Sequence, residues 1–194
     1  MKLNSLKVKN FRQFYDEEEI TFSQKEKEKL TLIHGGNTFG KTSLLNAILF
    51  TFHEEFTPAL NNPYFIVNQA AFDENNTKGF CEIRFEHEGV DYNIRRNIEQ
   101  VSEHSHTSSI KFHQIRDNGS WVDQTQSYER VIKSIIPKAI AKYFFFDGEA
   151  AEAFFKNTEA QKKQNEIAIR DIIGVQFFDW AIEDYTNMKE TFEK

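Results

Sequence analysis

A chain of 194 residues is long enough for one substantial domain or one large lobe of a bigger assembly, and its 39% apolar and 28% charged residues read as a soluble globular protein. The formal net charge of −6 argues against a protein that coats nucleic acid, leaving only local basic groups such as Lys7, Lys9 and Arg12, Arg95 with Arg96, and Lys162 with Lys163. The single cysteine, Cys81, excludes an internal disulfide, and no stretch has the length and apolarity of a membrane span or signal peptide, so a reducing cytoplasm is the expected setting.

Leu6, Val8 and the Phe11 region predict a first strand, Ile20 to Phe22 a second, and the apolar run Leu30 to Ile33 a third that delivers the chain into a glycine-rich turn. The charged stretches Asp16 to Glu19 and Lys25 to Lys29 suit exposed hairpin turns. Leu44, Leu45, Ile48, Leu49 and Phe52 recur at helical spacing, predicting a helix from Lys41 to His53 with one buried stripe. Pro58, Asn61-Asn62 and Pro63 mark an irregular excursion from Glu54 to Lys78.

Strands return at Phe80 to Phe85, Val90 to Arg95 and Ile110 to Ile115, with Glu88-Gly89 and Asp117-Asn118-Gly119 as turns, which together predict an antiparallel β-layer. Cys81 alternates with apolar neighbours and is expected in the core. Ser102 to Ser109 is polar, and its His104 and His106 lack the further ligands of a metal site, so it is expected to be a flexible loop. Tyr128 to Ala141 predicts an amphipathic helix interrupted near Pro137, followed by an apolar strand at Tyr143 to Phe146. Lys156 to Asn165 is polar. Two helices close the chain, split at Gly174, and in the second Phe178, Ile182, Tyr185 and Phe192 fall on one side like the start of a coiled-coil seam.

Two segments carry chemistry. Gly35-Gly36-Asn37-Thr38-Phe39-Gly40-Lys41-Thr42 satisfies the Walker A pattern between a predicted strand and a predicted helix. Small residues let successive backbone N–H groups turn toward phosphates, and the helix N-terminus adds a favourable dipole. Lys41 is expected to reach the β- and γ-phosphates, the Thr42 hydroxyl to take a position on Mg²⁺, and Ser43 to add a phosphate contact. The cofactors are therefore ATP and Mg²⁺. A guanine-specific Asn-Lys-x-Asp motif is absent, since Asn76-Thr77-Lys78-Gly79 does not match it. The second segment, four apolar residues ending in Asp147-Gly148-Glu149, has the form of a Walker B strand that brings a carboxylate to Mg²⁺; its plain alternative is a buried strand and a turn. Glu149 is either a second water contact or a helix N-terminal acid.

Lys9-Asn10-Phe11-Arg12, the run Leu30 to Ile33, the loop and the helix Ser43 to Ile48 together resemble the opening of SMC-type ATPases, including SbcC-like repair proteins. Phe144-Phe145-Phe146-Asp147-Gly148-Glu149 resembles the equivalent stretch of DndD-like ATPases of bacterial DNA-modification and phage-defence systems. The resemblance covers essentially the whole chain. It implies an α/β P-loop NTPase, specifically an ABC-type head lobe, with residues 1–174 as the N-terminal ATPase lobe and 175–194 as the start of a coiled-coil helix. It also implies that Arg12 reaches toward nucleotide or the dimer interface, and that Asp147 stands where the family has the Gln of its Q-loop. Thr38-Phe39 replaces a more usual Gly-Ser.

The implied partners are the C-terminal lobe of the same head, a second head, double-stranded DNA, and a nuclease or effector subunit, without a membrane. Catalysis by Lys41, Asp147 and Glu149 would then be composite, and this fragment alone inactive. A self-contained P-loop enzyme with Asp147 as its own Walker B carboxylate is the alternative from another class, and a non-hydrolysing nucleotide-binding scaffold is the third.

Overall fold

The computed structural model describes residues 1–25, 29–36, 39–58 and 60–145, and single helical positions at 162, 163, 166, 169, 170 and 185. They belong to two compact units, Met1–Ile136 and Pro137–Lys194. In the first unit, β1 (Lys2–Phe11) buries Leu6 and Val8 on one face and turns Lys7 and Lys9 to the other, as period-two patterning requires. It lies second in a six-stranded antiparallel sheet of order β2-β1-β3-β4-β5-β6.

The partner at the edge, β2 (Phe14–Thr21), corrects one expectation: Asp16 to Glu19 is strand, not turn. The reason is a non-local one, since Lys7 pairs with Glu17 at 3.3 Å and Glu19 at 3.5 Å, and Lys9 with Asp16 at 3.8 Å. The acid run is thereby matched by lysines one strand over, and it charges an edge that would otherwise invite further pairing. The reversal falls instead at Arg12, whose φ is 53°.

Strands β3 (Lys78–His87), β4 (Val90–Ser102), β5 (Ser105–Ile115) and β6 (Trp121–Asp123) form the expected β-layer. Glu88 and Gly89 both take positive φ between β3 and β4, and Gly119 does so between β5 and β6. The supposed flexible loop at Ser102 to Ser109 is the tight end of a long hairpin instead. Gln100 explains why: its amide donates to the carbonyls of Ser102 and Ser105 and closes the end of the ladder. Among the described residues no group of three His, Cys, Asp or Glu is arranged for a metal, and His106 sits edge-on to Phe50.

Helix α1 (Lys41–His53) has the expected bounds and packs on β1, β3 and β4. Its buried side differs from the predicted stripe. Leu49 and Phe52 are buried, but Leu44, Leu45 and Ile48 are only half-covered, and Ser43, Asn46, Ala47, Phe50 and Thr51 take the inner positions. Three of those five are polar and all three are hydrogen-bonded: Ser43 donates to Gln13, Thr51 donates to Ala47 O, and Asn46 donates to Thr42 O and Thr57 Oγ1 and accepts from Thr57 N–H, tying the helix to the excursion that follows it. Phe50 meets Phe11 and Phe56, and Phe52 meets Phe85, so aromatic contacts carry the helix–sheet interface.

The C-terminus of α1 is held by Arg96, which donates to Thr51 O, Glu54 and the hydroxyl of Tyr128. Tyr128 in turn donates to Phe52 O. A cation on the last carbonyls of a helix complements its dipole and satisfies groups the helix cannot. Tyr128 opens α3 (Tyr128–Ile135), so this network also fastens α3 to the sheet.

Cys81 is fully buried in β3, as expected, and burial pushes its thiol well above the ordinary range. The raised pKa favours the neutral thiol over the reactive thiolate. Cys81 should therefore be silent to a thiol-reactive chromophore in buffer and react stoichiometrically only in denaturant. Rapid labelling of the folded chain would contradict this placement.

The excursion after α1 is an ordered platform. Its short helix α2 (Gln69–Asp73) is capped by Asn68, whose side chain accepts from Ala71 N–H, and Gln100 reaches the backbone of Tyr64, Ile66 and Val67. The run Leu30 to Ile33 is a second correction. Residues 29–36 form no strand, and Leu30, Leu32 and Ile33 are 80%, 84% and 41% exposed. A strand exists only through a ladder partner, and among the described residues none lies beside this one.

In the second unit, α4 (Lys138–Phe144) corrects the predicted strand at Tyr143 to Phe146, because Tyr143 and Phe144 end a helix. Pro137 at the N-cap and Ala139 and Ala141 favour a helix over a strand, which a short apolar run alone does not decide. Phe146 to Glu149 and the boundary at 174/175 lie outside the described residues. Of the predicted seam, Tyr185 is in helical backbone and exposed, while Phe178, Ile182 and Phe192 lie outside the described residues.

Candidate functional site

The sharp transition from loop to helix at Gly40 builds the site. Gly40 is the N-cap of α1 with φ 87°, a left-handed conformation that suits glycine, and a Cβ there would stand 3.1 Å from the ring of Phe14. Helix α1 begins with no side-chain cap and no acidic residue in its first turn. Its leading N–H groups and the positive end of its dipole are thus left for an anion.

Lys41, the first residue of the helix, is exposed and folds back over the loop, where its Nζ donates to Gly35 O and Gly36 O, both at 2.7 Å. The ammonium therefore hangs above the loop's interior, where phosphates would lie. Thr42 follows with an exposed side chain, and Ser43 is buried at 4% exposure, its Oγ donating to Gln13 Oε1. Phe39 is 78% exposed, and its ring lies so close over Gly36 that a Cβ on that glycine would stand 3.0 Å from it. These features fit a triphosphate with a divalent cation: an uncapped helix start, the exposed ammonium of Lys41 and the exposed hydroxyl residue Thr42. Of the expected site residues the structure brings Lys41 back onto Gly35 and Gly36 and Phe39 over Gly36, with Gly40, Thr42 and Ser43 at the start of α1. Asn37, Thr38, Asp147 and Glu149 lie outside the described residues.

Arg12 has another engagement. Its guanidinium donates to the carbonyls of Phe65 at 2.7 Å, Asn61 at 3.2 Å and Asn62 at 3.4 Å, pinning the excursion to the end of β1, and burial lowers its pKa. The chain reversal that Arg12 opens then carries Gln13 to Ser43 and Phe14 to Gly40. Sequence reasoning missed both of these residues. The only signal was their adjacency to Lys9-Asn10-Phe11-Arg12, because nothing local reveals that a turn residue will meet a helix residue 30 positions later.

A family model described as an AAA domain matches residues 5–194. No curated protein matches the chain. Among solved structures, the SMC head domain from Thermotoga maritima is similar, with 24% identity, a TM-score of 0.40 and coverage of 67% of this chain. The chain spans 42% of the length of that structure.

Proposed function

Because the chain belongs to the AAA-domain family of P-loop ATPases, we propose that it binds ATP with Mg²⁺ as the N-terminal half of an SMC-like ABC ATPase head that acts on DNA. The observation that carries this reading is the uncapped, acid-free start of α1 with Lys41 poised over Gly35 and Gly36. Phosphates displacing the two carbonyls from Lys41 exchange neutral hydrogen-bond acceptors for charged ones, a stronger pairing. Thr42 would hold the cation, which supplies charge neutralisation across the β- and γ-phosphates. Backbone N–H groups of the loop would orient the chain of phosphates, with Asn37 and Thr38 contributing theirs.

The C-terminal lobe is the proposed first partner. Leu30, Leu32 and Ile33, apolar and exposed on the segment entering the loop, support it, as do the half-covered Leu44, Leu45 and Ile48 on α1. A second head, double-stranded DNA and a nuclease or effector subunit complete the proposal, with DNA repair or DndD-like phage and plasmid defence as its setting. The basic groups Lys7, Lys9, Arg95 and Arg96 are matched by Glu17, Glu19, Asp16, Glu82 and Glu54, which favours DNA contact elsewhere in the assembly. No helix among the described residues is long and apolar enough to cross a membrane. The proposed boundary between the lobe and its coiled coil remains 174/175, and Arg12 would turn to nucleotide only by leaving the excursion.

Phosphoryl transfer is catalysed by positioning and charge stabilisation, and in this reading half of those groups lie on other segments. The purified chain should therefore release phosphate from ATP negligibly, and adding the C-terminal lobe should restore turnover. In the restored head, Asp147→Asn should abolish most of that turnover, with Glu149→Gln less severe. Robust turnover by the 194-residue chain alone would instead identify a self-contained enzyme.

A further inference from the structure

The hydrogen bond from Ser43 Oγ to Gln13 Oε1 poses a problem of donors. A serine hydroxyl has one proton to give, while a phosphate oxygen only accepts. With its proton directed at Gln13, Ser43 offers a phosphate nothing but lone pairs. The partner, however, is a carboxamide, which carries a donor and an acceptor on nearly the same outline. Turned over about its last torsion, the Gln13 amide presents Nε2 to Ser43 Oγ and leaves the hydroxyl proton free to point at a phosphate. Gln13 is exposed, and among the described residues its Nε2 has no partner that would resist the turn.

The placement of Gln13 is built from both sides. Arg12 before it is tethered to three carbonyls of the excursion, and Phe14 after it rests against Gly40 of the phosphate loop. We propose that Gln13 is a positioning residue for nucleotide binding: turning its amide over redirects the Ser43 hydroxyl from Gln13 to the α-phosphate. The α-phosphate is the one in question because Lys41 serves the β- and γ-phosphates and Thr42 the cation. This inference rests on the nucleotide reading above. Its chemistry separates glutamine from its two obvious replacements. Glutamate accepts but does not donate, so it keeps the Ser43 proton and adds a negative charge beside the phosphates; alanine leaves the hydroxyl free but unguided.

Titration calorimetry of the 194-residue chain with a non-hydrolysable ATP analogue and Mg²⁺ tests it. Gln13→Glu should weaken binding more than about tenfold and Gln13→Ala about threefold, the scale of one charge-assisted hydrogen bond lost outright or merely disordered. In a Ser43→Ala background the Gln13→Glu penalty should shrink to about threefold, its charge part, because the hydroxyl it holds is gone. Thermal midpoints of the unliganded variants should match the wild type, which a purely structural role for Gln13 would not allow. Equal affinities for wild type, Gln13→Glu and Gln13→Ala, or a Gln13→Glu penalty that is the same with and without Ser43, overturn the proposal while leaving the nucleotide reading intact. A wild-type chain that binds no analogue at all overturns the nucleotide reading itself.

Discussion

Lys41→Ala should lower affinity for a non-hydrolysable ATP analogue about a hundredfold, the loss of a charge-assisted contact to phosphates in a site that holds one such cation among its described residues. The ligand-free chain should hardly notice. Lys41 is exposed, and what it gives up is a pair of bonds to carbonyls that water can serve as well. The comparison therefore isolates binding from folding, which is seldom possible for a residue at the head of a helix. Lys41→Met, keeping the stem without the charge, should fall with Lys41→Ala. Calorimetry decides it, and an unchanged affinity in either variant removes the phosphate loop from the function of this protein.

Gln100→Ala should destabilise the fold by about 3 kcal/mol, near the upper end for a single polar deletion. Gln100 is 2% exposed and meets five backbone groups: it accepts from Ile66 N–H and Val67 N–H, and its two amide protons are shared among Tyr64 O, Ser102 O and Ser105 O. Alanine leaves the N–H groups of the buried Ile66 and Val67 without their acceptor, and unmet buried groups cost more than the bonds themselves contribute; the carbonyls of Tyr64, Ser102 and Ser105 are on exposed residues and lose less. Gln100→Glu should be about as damaging at neutral pH, since a carboxylate keeps the two accepted bonds but faces three carbonyls with no proton. Urea unfolding of the three proteins measures this directly. A loss below about 1 kcal/mol for both variants would mean that the excursion holds itself together without this residue.

Legibility followed the range of the interaction. The phosphate loop, the bounds of α1 and the turns at Glu88-Gly89 and Asn118-Gly119 depend on neighbours in sequence, and the sequence announces them. Asp16 to Glu19 read as a turn because four acids in a row look solvated; only the lysines of β1 make them a strand. Tyr143 and Phe144 read as strand because a short apolar run has no period to measure. Gln13 and Gln100 were invisible for a stronger reason. A polar residue acquires meaning only from the backbone or hydroxyl that the fold delivers to it, and both partners come from distant segments.

The exposed run from Leu30 to Ile33 has a thermodynamic corollary. It ends two residues before Gly35, so whatever partner fixes those residues in a ladder also fixes the arm on which the phosphate loop is hung. Fixing the arm once spares a second binding event the entropy of doing so. Coupling of this kind is reciprocal: if the partner raises nucleotide affinity by some factor, nucleotide raises partner affinity by the same factor. Occupancy of the loop and ordering of the arm before it would then rise and fall as one variable.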